Sequence, residues 1–194
     1  MRKILIVDCF DSFTFNIFHY LDELNDGNCT VIRYDDFNPK DTTDYTHVVL
    51  SPGPGLPQDY PLIQNYLKIK SPEQSLLGVC LGHQAIAVFF NGELERLDEV
   101  QHGLANDLLL TEGSLLFNGF PDGFKIGHYH SWVVSNSNFP EKELKITSKT
   151  QDDWIMSFEH RTLPIYAVQF HPESVLTQGG KLLFKNWLEL SKSS

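Results

Sequence analysis

A cysteine between two glycines, in the segment GVCLG (78–82), is the clearest candidate for chemistry in this sequence. With serine in the middle, this glycine spacing is typical of a sharp strand-to-helix turn that exposes a nucleophile. Such a turn would place Cys80 at a helix N-terminus, where the helix dipole favours the thiolate, and would direct the Leu81 amide towards a developing oxyanion. The alternative is a buried structural cysteine, and this segment alone does not decide between the two.

A thiolate nucleophile needs a base, and the segment YAVQFHPES (166–174) offers one. His171 follows an alternating, strand-like run that Pro172 would end. Glu173 comes two residues after the histidine, close enough to bond the imidazole and set its tautomer. An isolated H-P-E would equally suit a solvated turn. Together with the cysteine it favours a triad of Cys80, His171 and Glu173, because each group supplies what the others lack.

The segment SPGPGLP (51–57) contains three prolines and two glycines in seven residues. Prolines lack an N–H, so the amides of Gly53 and Gly55, on either side of Pro54, become the distinctive donors of a stiff loop. Such a loop suits a second oxyanion contact or a substrate carboxylate. An ordinary tight loop is the alternative. The segment lacks the G-K-[ST] ending of a phosphate-binding loop.

Neither the histidines nor the cysteines have the spacing of a metal site. His128 and His130 lie two residues apart on one face of a possible strand, but the sequence contains no H-E-x-x-H and no C-x-x-C. We therefore expect this chain to hold no metal and no cofactor.

These residues need a scaffold, and the first half of the chain alternates strand-like and helical segments. We predict Asp11 or Ser12 as the N-cap of the first helix and Gly27 as its end. The alternation predicts a mostly parallel, doubly wound α/β sheet, with sites at the carboxyl ends of its strands. Apolar runs predict strands at 3–8, 29–34, 47–51 and 75–79, and helical spacing predicts helices at 13–24, 61–70 and 83–90.

The second half of the chain changes to short strand-like runs separated by turn residues, which predicts antiparallel ribbons. A final helix is expected from about Gly179 to Leu190, with an apolar stripe. The length of 194 residues and the lack of repeats or linkers predict a single domain, 1–194. The strand-like runs are 107–111, 131–135, 144–148, 154–160 and 165–170.

Taken in order, the segments DCFDSFTFN, SPGPGLP, GVCLGHQAIA, YHSW and QFHPES closely resemble the class I, triad-type glutamine amidotransferases. More narrowly, they are similar to the small subunits of anthranilate synthase and aminodeoxychorismate synthase. The resemblance covers essentially the whole chain. It implies a flavodoxin-like sheet, in agreement with the strand and helix pattern.

The resemblance also implies roles for particular residues. Cys80 would be the nucleophile, His171 the general base and acid, and Glu173 its orienting partner. The backbone amides of Gly53 or Gly55 and of Leu81 would form the oxyanion hole. The glutamine substrate would be bound by a set of loop and strand residues: Gly53, Pro54, Gly55, Leu81, Gln84, Ser131 and Trp132.

The implied reaction is hydrolysis of L-glutamine to glutamate and ammonia through a γ-glutamyl thioester on the cysteine. A chorismate-using synthase large subunit, expected to need Mg²⁺, would receive the ammonia by a protected route, since protonated ammonia is not a nucleophile. Three alternatives remain: another ammonia acceptor in a purine, pyrimidine or carbamoyl-phosphate route, a catalytically silent binding module, and a stand-alone hydrolase of γ-glutamyl compounds.

Two segments depart from the family pattern. QHGL (101–104) stands where Met-His-Gly-Lys is frequent, so the lysine is missing, and DCFDSF carries Cys9 and Phe10 where an asparagine and another apolar residue are usual. Both segments lie near the expected partner-facing edge. His102 and Asp11 are therefore candidates for interface or supporting roles, with a solvated loop or a helix cap as the alternative.

Composition indicates which kinds of partner and which cell compartment to expect. The net charge of −10 and the sequence pI of about 5.1 argue against sequence-independent binding to nucleic acid and against docking on anionic lipid. No apolar run has the length of a signal peptide or a membrane span. Three cysteines suggest a reducing compartment rather than a disulfide framework, so we expect a cytoplasmic protein without nucleic-acid or membrane partners.

Overall fold

The computed structural model describes residues 2–121 and 123–190. Within these ranges the chain forms ten strands and four α-helices. In chain order they are β1 (Ile4–Asp8), α1 (Thr14–Leu24), β2 (Cys29–Arg33), β3 (His47–Leu50), α2 (Pro61–Ile69), β4 (Ser75–Val79), α3 (Leu81–Phe89), β5 (Leu94–Asp107), β6 (Leu109–Leu110), β7 (Lys125–Val134), β8 (Leu144–Lys149), β9 (Ile155–His160), β10 (Ile165–Val168) and α4 (Gly180–Leu190).

The main sheet has eight strands in the order β2-β1-β3-β4-β10-β9-β8-β6. The first five strands are parallel, in the order typical of flavodoxin-like sheets. From β10 onwards the pairing becomes antiparallel through β9, β8 and β6. This confirms the predicted doubly wound α/β fold with antiparallel ribbons in the second half.

Helices cover both faces of this sheet because successive strand residues point to opposite sides. In β1, Ile4 and Ile6 pack into a core with α1 and α4, in which Trp187 is fully buried. Leu5 and Val7 pack instead with α2 and α3. All residues of β1 are buried, which explains why residues 4–7 form a continuous apolar run rather than an alternating pattern.

A long two-stranded ribbon, β5 paired antiparallel with β7, stands apart from the main sheet. Strand β5 is not predicted from the sequence, and only the end of β7 is. The predicted strand at 107–111 is longer than the observed one, since residue 107 ends β5 and only Leu109–Leu110 form β6. Most residues of β5 are exposed, so the strand lacks the apolar signal that marks the buried strands.

The start of α1 also differs from the prediction. Phe13, not Asp11 or Ser12, occupies the N-cap position, and the helix begins at Thr14. The carboxylate of Asp8 accepts hydrogen bonds from the Phe10 and Asp11 amides and from the Thr14 hydroxyl, which fixes the preceding turn. Asp11 still bonds a free amide, accepting from Phe13 N–H at 2.8 Å.

Other boundaries agree more closely with the sequence. Pro61 opens α2 as predicted. Gly27, at φ +77°, follows the end of α1, and its amide donates to the Asp22 carbonyl. Helix α3 begins two residues earlier than expected, directly after Cys80. In the described part of the chain, none of the helices combines the length and apolar character needed to span a bilayer.

Candidate active site

The turn between β4 and α3 holds Cys80 in a strained conformation. Its φ is +51° and its ψ −99°, a region that residues with a side chain rarely adopt. The Cys80 amide donates to the Val168 carbonyl at 2.9 Å, which ties the turn to β10. Leu81 begins the helix, so its own N–H has no partner within α3 and faces the turn. This is the sharp strand-to-helix turn that the glycine spacing predicted.

The glycines around Cys80 are required by close packing. A Cβ on Gly78 would lie 2.7 Å from the backbone of Gly82 and 2.6 Å from Ile86 Cδ1. A Cβ on Gly82 would collide with the Leu50 carbonyl of the neighbouring strand. The two glycines therefore let strand and helix pass close enough to make the turn.

The proline-rich loop after β3 packs against this turn. A Cβ on Gly53 would lie 2.5 Å from the Cys9 carbonyl oxygen and 2.7 Å from Leu81 Cδ2, so the loop and the start of α3 are in direct contact. The Leu56 amide is already used, since it donates to Asp59 at 2.9 Å. Gly53 and Gly55 thus remain the amide donors of the loop beside Leu81.

His171 and Glu173 lie behind Cys80, where both are almost fully buried. The Nδ1 of His171 and Oε1 of Glu173 are 2.7 Å apart. The backbone holds the imidazole in place, because the His171 amide donates to the Gly127 carbonyl and its own carbonyl accepts from Thr177 Oγ1. Within the described residues Nε2 has no well-aligned hydrogen bond, which leaves it free for the thiol or a leaving group.

Charge governs the protonation of His171. Burial alone would lower its pKa, but the negative charges of the Cys80 thiolate and the Glu173 carboxylate together raise the pKa well above its ordinary value. The Glu173 carboxylate and the Cys80 thiolate therefore favour the imidazolium form of His171. A thiolate–imidazolium pair is the resting form that a cysteine nucleophile needs.

Cys80 opens onto a cavity of about 340 Å³ at the carboxyl ends of the parallel strands. The structure brings every residue predicted to contact substrate to the wall of this cavity, while His171 and Glu173 stay behind it. The predicted wall residues are Gly53, Pro54, Gly55, Leu81, Gln84, Ser131 and Trp132. Their individual roles remain predictions.

The cavity wall also contains residues that the sequence analysis did not assign to substrate: Leu56, Val100, His102, Tyr129 and His130. All except Leu56 come from the β5–β7 ribbon. His102 lies on β5, exposed, with its ring 5.2 Å from that of Tyr129. The Tyr129 ring in turn packs 4.9 Å from His171. The tripeptide Tyr-His-Ser in β7 was the available signal for Tyr129 and His130.

Three histidines near the site are buried and neutral. Nδ1 of His128 and Nε2 of His130 are 3.0 Å apart. Burial, followed by the charge of His171, lowers the pKa of His128 to about 4. Burial and the two neighbouring histidines lower the pKa of His130 to about 3, and burial likewise lowers that of His83 to about 3. Over residues 2–121 and 123–190 no cluster of His, Cys, Asp and Glu could hold a metal ion.

The model of the class-I glutamine amidotransferase family matches residues 5–190. Anthranilate synthase component 2 of Mycobacterium tuberculosis is 39% identical over 194 residues, covering 96% of this chain and 81% of that protein. The aminodeoxychorismate synthase of Streptomyces griseus is 38% identical over 195 residues, covering 98% of this chain but 26% of that longer protein.

A solved structure shows the same fold. The glutamine amidotransferase of Thermotoga maritima superposes with a TM-score of 0.80 over 100% of this chain and 99% of its own, at 16% sequence identity. The central sheet and its flanking helices are therefore shared by proteins whose sequences have diverged widely.

Proposed function

This chain belongs to the class-I glutamine amidotransferase family, and we propose that it releases ammonia from L-glutamine at Cys80 for a chorismate-using synthase. One observation carries the chemical part of the proposal. Cys80 stands at positive φ on the wall of the cavity, with the His171–Glu173 pair buried directly behind it.

Acylation begins with attack of the Cys80 thiolate on the side-chain amide carbon of glutamine. The carbonyl oxygen becomes an oxyanion. In the proposed oxyanion hole, the Leu81 N–H and an amide N–H of the loop containing Gly53 donate hydrogen bonds to it. The His171 imidazolium then donates its Nε2 proton to the leaving nitrogen. Ammonia departs and a γ-glutamyl thioester remains on the sulfur.

Deacylation reverses the proton movement. A water molecule takes the position vacated by ammonia, and the neutral imidazole of His171 accepts its proton as the oxygen attacks the thioester. Collapse of the second tetrahedral intermediate expels the thiolate and releases glutamate. His171 is again an imidazolium beside a thiolate, so the resting charge pair is restored. Throughout, Glu173 orients the His171 ring through Nδ1 and stabilises its positive charge.

The acceptor of the ammonia is proposed from the relatives and from the surface. The two curated relatives are named as a component of anthranilate synthase and as aminodeoxychorismate synthase, which both use chorismate as acceptor. Val100 on the cavity wall is 62% exposed, and Phe10, just after the carboxyl end of β1, is 40% exposed. Exposed apolar side chains around a cavity mouth suit a protein partner that seals it.

The direct test is glutamine hydrolysis by the wild-type chain and by Cys80→Ala, each with and without a chorismate-using synthase subunit. We expect slow hydrolysis by the wild type, faster hydrolysis with the subunit, and none by the variant. Cys29→Ala is the matched control, because Cys29 lies half-buried at the start of β2. This variant should hydrolyse glutamine at the wild-type rate. Equal turnover in Cys80→Ala would contradict the proposal, and stimulation by a different synthetase alone would reassign the acceptor.

A further inference from the structure

Gln169, which the proposed mechanism does not use, is the last residue before the buried Phe170-His171 pair. It follows β10 directly and is fully buried. Its amide N–H donates to the Met156 carbonyl at 2.8 Å, which continues the pairing with β9. The chain bends at Gln169 and Phe170, and the side chains of Gln169 and His171 both interact with Cys80.

The side-chain amide of Gln169 contacts that sulfur. Its Nε2 lies 3.5 Å from Cys80 Sγ, a hydrogen-bond distance for sulfur. Its Oε1 accepts from Gln84 Nε2 at 3.1 Å, and the same Gln84 nitrogen donates to the Trp132 carbonyl at 3.0 Å. A chain of buried amides thus leads from β7 through α3 to the sulfur.

The donors and acceptors along this series of amides have only one consistent assignment. Oxygen and nitrogen of a glutamine amide are told apart by their hydrogen-bond partners, and the Trp132 carbonyl can only accept. Gln84 must therefore present its NH₂ group there. That NH₂ group also faces Gln169, whose side-chain oxygen must therefore be the acceptor. The NH₂ group of Gln169 then points at Cys80. Turning either side-chain amide over would place two donors or two acceptors against each other.

We infer that Gln169 is a positioning residue for the nucleophile, donating from Nε2 to the Cys80 thiolate so that the sulfur is held for attack. This role rests on the proposed function, because it matters where the cysteine forms and breaks a thioester. A donor bonds an anionic acceptor more strongly than a neutral one. The contact therefore favours the thiolate over the thiol and over the acyl-enzyme, and it helps the thiolate to leave in deacylation.

The test measures Cys80 without glutamine, by its rate of alkylation with iodoacetamide across pH, following the Cys80 peptide by mass spectrometry. In Gln169→Leu we expect alkylation at pH 6 to fall roughly tenfold, and the profile to move about one pH unit higher, since a bond to a charged group is lost. Gln169→Glu should move it further in that direction because the carboxylate repels the thiolate. In glutamine hydrolysis, Gln169→Leu should lower kcat and leave KM little changed.

Gln74→Leu is the matched control for the loss of a buried amide. Gln74 is also buried and fully bonded: its Nε2 donates to the carbonyls of Thr42 and Tyr45, and its Oε1 accepts from Tyr66. It precedes β4, at the opposite end of the strand from Cys80. Its replacement costs a comparable amount of packing and should leave the alkylation profile unchanged.

A second variant tests the chain of amides should Gln169→Leu fold poorly. Gln84→Met removes the donor that orients Gln169, so it should move the alkylation profile in the same direction, and the double variant should add little to Gln169→Leu. Profiles of Gln169→Leu or Gln84→Met that coincide with wild type would overturn the inference. A shifted profile in a protein whose wild type does not hydrolyse glutamine would instead contradict the proposed function alone.

Discussion

At the scale of single residues, the charge state of His171 is the property on which the chemistry depends. Burial opposes a charged ring, while the Cys80 thiolate and the Glu173 carboxylate favour it and raise its pKa well above the ordinary value. The three neighbouring histidines lack such partners, and burial together with the charge of nearby histidines lowers their pKa values to about 3 or 4. Two adjacent anions thus distinguish the base from the other buried imidazoles.

Glu173→Gln tests this balance. The uncharged amide no longer favours the imidazolium, so the pKa of His171 falls towards its ordinary value. Acylation needs the protonated ring, so activity at high pH is lost earlier and the basic limb of the kcat profile moves to lower pH. We expect kcat to drop by about a hundredfold, the usual scale for impaired acid–base catalysis.

Glu159→Gln is the control for that prediction. Glu159 is partly buried and pairs with Lys145 at 2.8 Å on β9 and β8, away from the cavity. Its replacement should leave the pH profile in place. A Glu173→Gln enzyme with an unmoved basic limb would show that this carboxylate does not set the charge of His171.

The triad could be predicted from sequence because each member belongs to a short segment with its own geometric meaning. Glycines on either side of Cys80 indicate a sharp turn, and a His-Pro-Glu after a strand indicates a base with its partner. Gln169 had no such signal, and the Tyr-His-Ser tripeptide marked Tyr129 without indicating which residues it contacts. Their contacts to the site depend on β7, α3 and β10 meeting in space, which no local spacing records.

At the scale of elements, the β4–α3 turn is the part of the fold that the site most depends on. Gly78, next to the last residue of β4, packs against Gly82 and Ile86 with no room for a side chain. This close approach sets the position of the first turn of α3. The Leu81 amide and the Gln84 side chain are both placed by that turn.

Gly78→Ala should therefore impair stability and activity together. The added methyl must push α3 away from β4, and overpacking of this kind costs about 2 kcal/mol of unfolding free energy. The shift also moves Leu81 relative to Cys80, so glutamine hydrolysis should fall even at temperatures where the protein stays folded. Denaturant unfolding and initial rates measure the two effects.

Gly113→Ala is the matched control, because a Cβ there would meet no atom within 4 Å. It should change the unfolding free energy by less than about 0.5 kcal/mol, as exposed substitutions do. If Gly78→Ala behaved like this control, the close packing of the turn would not be what positions the nucleophile.

The buried strands and most helices could be predicted because their apolar residues recur with clear periods. The β5–β7 ribbon could not, although it supplies much of the cavity wall. Strand β5 contains charged and small residues, most of them exposed, and its pairing with β7 is set by contacts between distant parts of the chain. Strand propensity depends on such context more than helix propensity does.

At the scale of the whole molecule, the alternation of strands and helices was sufficient to predict a doubly wound sheet. The order of the parallel strands places β1, β3, β4 and β10 side by side, so their carboxyl ends meet at one edge. That edge collects segments that are far apart in sequence: the proline-rich loop, the cysteine turn and the His-Pro-Glu turn. The antiparallel extension from β9 to β6 continues the sheet away from the site.

The central claim is that Cys80 forms a γ-glutamyl thioester with glutamine, and trapping this intermediate tests it most directly. The protein is mixed with glutamine, quenched in acid within the first turnovers, digested and mapped by mass spectrometry. The account predicts a γ-glutamyl group on the peptide containing Cys80 of the wild type, and no such group in Cys80→Ala. A γ-glutamyl group on Cys9 or Cys29, or steady hydrolysis with no adduct at Cys80, would contradict it.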